Sequence, residues 1–183
     1  MPKVRFKTLI KIPDFVTLAS VLCGMLSIFL ASKYHFTGAA LLLIAAAFFD
    51  WLDGEVATLI KRKGRFGSEL DALADAVNYG VAPALFGYFL GLSGILSMGI
   101  LIIFTMASVL RLARFNVIKK TYNYYIGLAT TTNAVGLPIL YFLITLANFP
   151  WSISKWIYLL YFAISSVLMV SSIRIPSLKI LRM

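Results

Sequence analysis

Residues 50–75 read DWLDGEVATLIKRKGRFGSELDALAD, with acidic residues on both sides of a basic segment. Two carboxylate pairs flank a short basic loop: Asp50 and Asp53 lie three residues apart, and Asp71 and Asp75 lie four apart. On helices, both spacings place the two side chains on one face. When the chain folds back at the loop, Asp50 falls opposite Asp75 and Asp53 falls opposite Asp71. The stretch therefore predicts a helical hairpin whose four carboxylates converge at one depth.

The composition around this hairpin is that of a membrane protein. The 183 residues are 61% hydrophobic and only 13% charged, with a mean hydropathy of +0.91. At about 20 apolar residues per crossing, the chain has room for about six helices. We predict an all-α integral membrane protein, a single domain over residues 1–183 that forms a bundle of six transmembrane helices. A short N-terminal juxtamembrane amphipathic segment is expected at 1–13, followed by spans near 14–32, 37–60, 68–90, 94–116, 130–148 and 152–173.

The net charge of +10 is concentrated at alternate ends of these spans. One side of the bundle receives most of the cations: the N-terminal group, then Lys61, Arg62, Lys63 and Arg65, then Lys119 and Lys120, then Arg174, Lys179 and Arg182. The opposite side receives only Lys33 and Lys155. By the positive-inside rule, both termini and the carboxylates lie on the cytoplasmic side of the cell membrane. Because the cations mark orientation, no nucleic acid partner is expected.

Carboxylates inside a membrane domain are costly, and they usually face a cation, a partner or a water-filled cavity. Four at one depth predict bound divalent ions that offset their repulsion. Ligands that are all oxygen favour Mg²⁺, Mn²⁺ or Ca²⁺ over zinc. Two such ions suit phosphoryl chemistry, since they clamp the attacking and leaving oxygens. The alternative, structural pairing with Lys or Arg, finds few cations within the spans. Asp50, Asp53, Asp71 and Asp75 are therefore predicted to ligate two divalent cations.

The same residues carry a family signature. DWLDGEVAT at 50–58 and GSELDALAD at 67–75 resemble the CDP-alcohol phosphatidyltransferase pattern, D-x-x-D-G-x-x-A-R, eight residues, then G-x-x-x-D-x-x-x-D. Seven fixed positions match in kind and in spacing. Thr58 stands where the family has arginine, beside the nucleotide diphosphate. Arg62 lies one helical turn further on, and we predict that it takes that role.

The resemblance implies a reaction and a set of roles. The donor is a CDP-linked lipid, CDP-diacylglycerol or the archaeal ether lipid CDP-archaeol, and an alcohol displaces CMP in a reaction that uses two divalent ions. Asp50, Asp53 and Asp71 are expected to bind metal, and Asp75 to act as the general base while also touching a metal. A homodimer in the lipid bilayer is expected. The predicted donor-binding residues are Thr17, Asp50, Gly54, Ala57, Arg62, Gly67 and Asp71.

Further segments resemble the branch of this family whose acceptor is L-serine: LDALADAVNYGVAPA at 70–84, RLARFN at 111–116, and Pro13, Thr17 and Gly24 on the first span. Arg111 and Arg114 lie three apart and can present guanidinium groups to a carboxylate. Asn78 follows Asp75 on the same face. These three are the predicted acceptor-binding residues. The alternatives are a positive-inside end for the arginines and helix packing for the amide.

Two alternatives to a serine acceptor remain open, one within the family and one in a different class of protein. Within the family, the acceptor would be glycerol phosphate or inositol phosphate, which calls for a larger basic pocket. In a different class, a divalent-cation carrier also uses intramembrane carboxylates. A carrier needs them along a path through the bilayer, whereas here the outer half of every span lacks them. The hydroxyls of Thr130 to Thr132, with Asn133, are predicted to cap the fifth helix, with substrate binding as the alternative.

Overall fold

The computed structural model describes residues 10–59, 65–118, 124–172 and 174–176. These residues form α1 (Ile12–Ser32), α2 (Phe36–Leu59), α3 (Arg65–Asp75), a π-helix (Ala76–Val81), α4 (Ala82–Phe89), α5 (Ile95–Ile118), β1 (Tyr124–Ile126), α6 (Thr131–Leu146), α7 (Trp151–Val170) and β2 (Arg174–Pro176). Since α3, the π-helix and α4 follow one another without a break, the described helices make six rods. The first of them starts close to the predicted position, while most of the predicted juxtamembrane segment lies outside the described residues.

Four of the rods are long and apolar enough to cross a membrane: α1, α2, α5 and α7. Helix α6 is apolar but shorter. Large apolar side chains cover the outside of the bundle, among them Phe15, Ile103 and Leu160, each more than half exposed. Such a surface is unusual for a soluble protein and ordinary for one that faces lipid. The helical membrane character predicted from composition is confirmed.

The third rod differs from the continuous helix predicted over 68–90, because the π-helix interrupts it. Pro83, in the first turn of α4, has no backbone N–H, and its ring would clash with the carbonyl four residues earlier in a regular α-helix. The widened turn avoids that geometry, and the N–H of Ala82 bonds instead to the carbonyl of Val77. Single π-turns of this kind occur often at functional sites. Here the turn begins directly after Asp75.

A two-stranded sheet is the second departure from the all-α prediction. Strand β1 pairs antiparallel with β2, with Tyr125 opposite Ile175. Beside it, the N–H of Leu128 bonds to the carbonyl of Leu168. The pairing connects the α5–α6 loop to the chain that follows α7. Strands of three residues lie below what sequence periodicity can resolve.

Small residues let α1 and α2 approach closely. Ala31, Ala39 and Ala40 are fully buried at this contact. The hydroxyl of Ser27 on α1 donates to the carbonyl of Ala39 on α2 at 2.8 Å. Small side chains and interhelical hydrogen bonds of this kind hold membrane helices together. On the other side of the core, the Phe104 and Phe162 rings meet edge to face at 5.0 Å, joining α5 to α7.

One glycine on α1 tests this close packing. A Cβ placed on Gly24 would overlap Asn78 Oδ1 of the π-helix. We expect Gly24→Ala to destabilise the protein by about 1–3 kcal/mol, the usual range for overpacking a tight contact. The measurement is thermal unfolding in detergent. Gly99 on α5 is the control, since a Cβ there meets nothing within 4 Å. Gly99→Ala should leave the midpoint unchanged or raise it, and an equal loss in both variants would contradict this account.

Candidate active site

Three carboxylates meet where α2 and α3 face each other. Asp50 and Asp53 lie in the last turns of α2, and Asp71 lies on α3. One carboxylate oxygen from each falls within 4.8 Å of the other two. Asp53 is buried, whereas Asp50 and Asp71 are half-buried. The helical hairpin predicted from residues 50–75 thus brings three of its four carboxylates into one group.

The fourth carboxylate, Asp75, lies beside that group. It ends α3 and is close enough to Asp50 and Asp71 for their like charges to repel. Its Oδ1 atom is buried and has no hydrogen-bond partner within the described part of the chain. A buried carboxylate oxygen without a donor is costly. Together, the orphaned oxygen and the group of three provide an all-oxygen ligand set that fits hard divalent cations such as Mg²⁺.

Asp53 is held in place from α1. The hydroxyl of Thr17 donates to Asp53 Oδ2 at 2.5 Å. Thr17 is itself buried, one turn into α1 from Asp14. A bond of this kind fixes the orientation of a metal-ligating carboxylate. Thr17 was predicted to bind the donor. The structure places it against a predicted metal ligand, and donor binding by its side chain stays a prediction.

The hydrogen bond from Thr17 to Asp53 can be tested with one variant that removes it and one that keeps it. Thr17→Val keeps the shape of the side chain and removes the hydroxyl that holds Asp53. We expect divalent-ion affinity to fall about 10- to 100-fold, the usual cost of losing a partner of a metal ligand. Thr17→Ser keeps the donor and should restore most of the affinity. Calorimetric titration with Mn²⁺ measures both. Equal affinity in the Val variant would show that the hydroxyl does not act on the site.

The remaining predicted donor residues fall around the same hairpin. Gly54 follows Asp53 and has open space where a side chain would lie. A Cβ on Gly67 would come within 2.6 Å of Asp14 Oδ1, so a larger residue there would require the Asp14 side chain to move. Ala57 lies one turn beyond Asp53 on α2. Arg62, predicted to replace the missing family arginine, lies outside the described residues.

The predicted acceptor residues occupy three different environments. Asn78 is buried against α1, where its Nδ2 donates to Ser20 Oγ at 3.1 Å. Arg111 is also buried, donates to Thr130 Oγ1 at 3.2 Å, and lies close enough to Asp75 for their opposite charges to attract. Arg114 donates to the carbonyls of Met169, Val170 and Ser171 at 2.9–3.0 Å. Arg114 therefore caps the end of α7, a role that sequence reasoning did not assign.

Capping of α6 by its own hydroxyl residues was predicted and is wrong. The N-cap residue Thr130 makes no side-chain capping bond. Its hydroxyl instead accepts the bond from Arg111, and Asn133 accepts a bond from Tyr161 at 3.2 Å. These residues connect α6 to its neighbours. Thr131 and Thr132 are exposed and border a cavity that also includes Asp50.

Sequence reasoning missed Tyr79. This residue of the π-helix is fully buried, and Asp50 and Asp75 act on its hydroxyl electrostatically. It lies four residues after Asp75 and eight after Asp71, so helical spacing places all three near one face. That spacing was the available signal. A tyrosine in an apolar span is easily assigned to packing alone.

Similarity to known proteins shows the family to which the chain belongs. The family model for CDP-alcohol phosphatidyltransferases matches residues 10–172, so the chain belongs to that family. The prediction drawn from residues 50–75 is confirmed, and the protein is a transferase of this family.

Similar proteins carry a more particular name. The chain is 37% identical over 171 residues to the CDP-diacylglycerol–serine O-phosphatidyltransferase of Helicobacter pylori strain 26695, covering 91% of this chain and 72% of that protein. It is 34% identical to the protein of the same name from Mycobacterium leprae, covering 92% of this chain and 58% of that protein. The match to the Bacillus subtilis protein of that name is 31% identical, covering 72% of this chain and 75% of that protein.

Proposed function

We propose that this protein is a CDP-diacylglycerol–serine O-phosphatidyltransferase, a phosphatidylserine synthase. It transfers the phosphatidyl group of CDP-diacylglycerol, or of its ether-lipid counterpart CDP-archaeol, to the hydroxyl of L-serine and releases CMP. The observation that carries the proposal is the group of Asp50, Asp53 and Asp71 with Asp75 beside it. The chain that holds this group is more than 30% identical to proteins named for the serine reaction.

The carboxylates have distinct tasks in this proposal. Asp50, Asp53 and Asp71 would hold two divalent cations, Mg²⁺, Mn²⁺ or Ca²⁺, and Asp75 would touch one of them. Such ions supply the positive field that a diphosphate requires. Asp75 accepts the proton of the serine hydroxyl through its unpartnered Oδ1. The serine oxygen bonds to the lipid-side phosphorus as the bond from that phosphorus to the bridging oxygen breaks, and CMP leaves with that oxygen.

The binding residues follow the same geometry. Among the predicted acceptor residues, Arg111 has the best position for the serine carboxylate, because it lies between Asp75 and the start of α6. Asn78 and Arg114 remain proposed acceptor residues, and their side chains also hydrogen-bond to α1 and to the end of α7, respectively. The nucleotide part of the donor is proposed to bind along the hairpin, at Thr17, Asp50, Gly54, Ala57, Arg62, Gly67 and Asp71.

The membrane arrangement is also part of the proposal. In addition to the four long apolar helices, the third rod and α6 are proposed to cross the bilayer, which gives six spans in one domain. Both termini and the carboxylates then lie on the cytoplasmic side of the cell membrane, by the distribution of Lys and Arg. The protein is proposed to work as a homodimer, as the family resemblance implies.

The decisive experiment is an acceptor panel. Purified protein receives CDP-diacylglycerol, Mg²⁺ or Mn²⁺, and one labelled alcohol at a time: L-serine, glycerol phosphate or inositol phosphate. We expect CMP release and a labelled lipid with serine alone, and none after chelation with EDTA. Turnover with a phosphorylated acceptor in place of serine would overturn the assignment within the family. Ion flux through proteoliposomes without CMP release would favour the carrier.

A further inference from the structure

Tyr79 is a buried tyrosine whose hydroxyl is not explained by packing. The residue lies within the π-helix, Ala76–Val81, and its side chain is fully buried. Its hydroxyl oxygen has no hydrogen-bond partner within the described part of the chain. Buried hydroxyls normally have a partner, because a buried polar group without one is costly. A phenylalanine would fill nearly the same space without that cost, so the hydroxyl requires an explanation of its own.

The carboxylates of the site surround this hydroxyl. Asp75 and Asp71 act on it through their charge, whereas Asp50 also approaches it as a hydrogen-bond acceptor. The hydroxyl and the Asp50 carboxylate do not reach the geometry of a complete hydrogen bond. A small rotation of the carboxylate would complete it, since a phenol hydroxyl is a donor and a carboxylate an acceptor. Tyr79 is therefore placed to hold Asp50 from the buried side.

Asp50 is a ligand that needs such a hold. It is half-buried, and it borders both the group formed with Asp53 and Asp71 and the cavity that separates α2 from α6. A carboxylate beside open space can turn away from an ion unless one of its oxygens is fixed. For Asp53 the hydroxyl of Thr17 provides that fixation from α1. A hydroxyl from the π-helix would provide the same for Asp50.

Two other buried oxygens of this region have different surroundings. Asn78 Oδ1 and Ser108 Oγ also have no hydrogen-bond partner within the described residues. Asn78 Oδ1 lies against Gly24 of α1, and Ser108 Oγ lies against Gly80. Both atoms therefore lie at contacts between helices, whereas the Tyr79 hydroxyl adjoins a predicted metal ligand.

We infer that Tyr79 is a positioning residue of the ion site, whose hydroxyl donates to one oxygen of Asp50 and directs the other oxygen toward the bound ion. The inference rests on the proposed function, in which Asp50 ligates a divalent cation, and it adds a residue outside the acidic signature. The two ligands on α2 are then each oriented by a hydroxyl from another helix: Asp53 by Thr17 and Asp50 by Tyr79. Tyr79 itself touches neither the ion nor the substrates.

The first test measures ion binding without turnover. Tyr79→Phe removes the hydroxyl and keeps the ring. We expect the affinity for Mn²⁺, measured by calorimetric titration of the purified protein, to fall about 10- to 100-fold. Tyr158→Phe is the matched control, because Tyr158 is a buried tyrosine of α7 whose hydroxyl lies beside Tyr141. Unchanged affinity in Tyr79→Phe, or an equal loss in both variants, would overturn the inference.

Thermal unfolding separates orientation from packing. In EDTA, Tyr79→Phe should be at least as stable as the wild type, because it removes a buried hydroxyl that has no partner among the described residues. A fixed concentration of Mn²⁺ should raise the unfolding midpoint of the variant less than that of the wild type, since the stabilisation follows RT ln(1 + [L]/Kd). A variant that is less stable in EDTA and gains the full ion-dependent rise would show that Tyr79 only packs, and the inference would fail.

The kinetic test distinguishes positioning from chemistry. The Mn²⁺ concentration that gives half-maximal CMP release should rise about 10- to 100-fold in Tyr79→Phe, while the rate at saturating Mn²⁺ stays within about three-fold of wild type. A rate that remains low at every ion concentration would place Tyr79 in the chemical step and overturn the positioning role. Failure of the proposed function has a different signature, the absence of CMP release from wild-type protein with serine, and it leaves the ion titrations interpretable.

Discussion

Asp75→Asn should reduce serine-dependent CMP release by about 100- to 10,000-fold, the range that a positioned general base contributes. The substitution keeps the size of the side chain but removes its negative charge, and with it the capacity to accept the proton. Because Asp50, Asp53 and Asp71 form their group of ligand atoms without Asp75, divalent-ion affinity should change far less than activity. Initial rates and calorimetric titration with Mn²⁺, on the same preparation, separate the two effects.

A control variant and a measurement of thermal stability complete the test of Asp75. Glu69 lies on the same helix but is exposed, so Glu69→Gln removes one negative charge without touching the site and should retain near wild-type activity. Asp75 also carries a buried oxygen without a donor, so the Asn variant should be no less stable to heat than the wild type. An Asn variant that is folded, binds ions and still turns over within ten-fold of wild type would disprove the assignment of Asp75 as base.

The residues of the site were predictable because their positions depend on local rules. Helical spacing fixes which side chains share a face, and a basic loop fixes where the chain reverses. From these two facts alone, all four carboxylates were expected to converge. The structure groups Asp50, Asp53 and Asp71 and places Asp75 beside them. The family signature added roles to positions that spacing had already selected. Composition was sufficient to predict a membrane protein, because hydrophobic content is a property of the whole chain and does not depend on particular contacts.

The features that the sequence did not predict depend on contacts between segments that are distant along the chain. Arg114 has the same spacing and charge as a substrate-binding arginine, yet it caps α7, some 55 residues further along the chain. The Thr130 hydroxyl accepts a bond from Arg111 where a capping bond was expected. The π-helix had a local cause in Pro83, but proline also occurs in regular first turns, so its presence does not specify a widened turn. These outcomes are settled by tertiary packing.

Asp53→Asn should abolish productive ion binding, with affinity for Mn²⁺ falling more than about 100-fold, beyond the loss expected for a mere partner of a ligand. Asp53 is the buried member of the group and the one that Thr17 orients, so no exposed side chain can substitute for it. Transfer to serine should become undetectable. Glu55→Gln, two residues away and exposed, is the matched control and should bind ions normally.

For Asp53→Asn we also expect that added ions reverse which of the two proteins, variant or wild type, is more stable to heat. A purely structural role of Asp53 would not produce this reversal. Without ions, the wild-type carboxylates repel one another, so replacing Asp53 by Asn should raise the unfolding midpoint in EDTA. Added Mg²⁺ or Mn²⁺ stabilises whichever form binds it, by RT ln(1 + [L]/Kd), and should raise the midpoint of the wild type only. The variant should therefore have the higher unfolding midpoint in EDTA, and the wild type should have the higher midpoint when ions are added. If the carboxylates were paired structurally instead, Asp53→Asn would be the less stable protein under both conditions, and the ion-dependent shift would be absent from both.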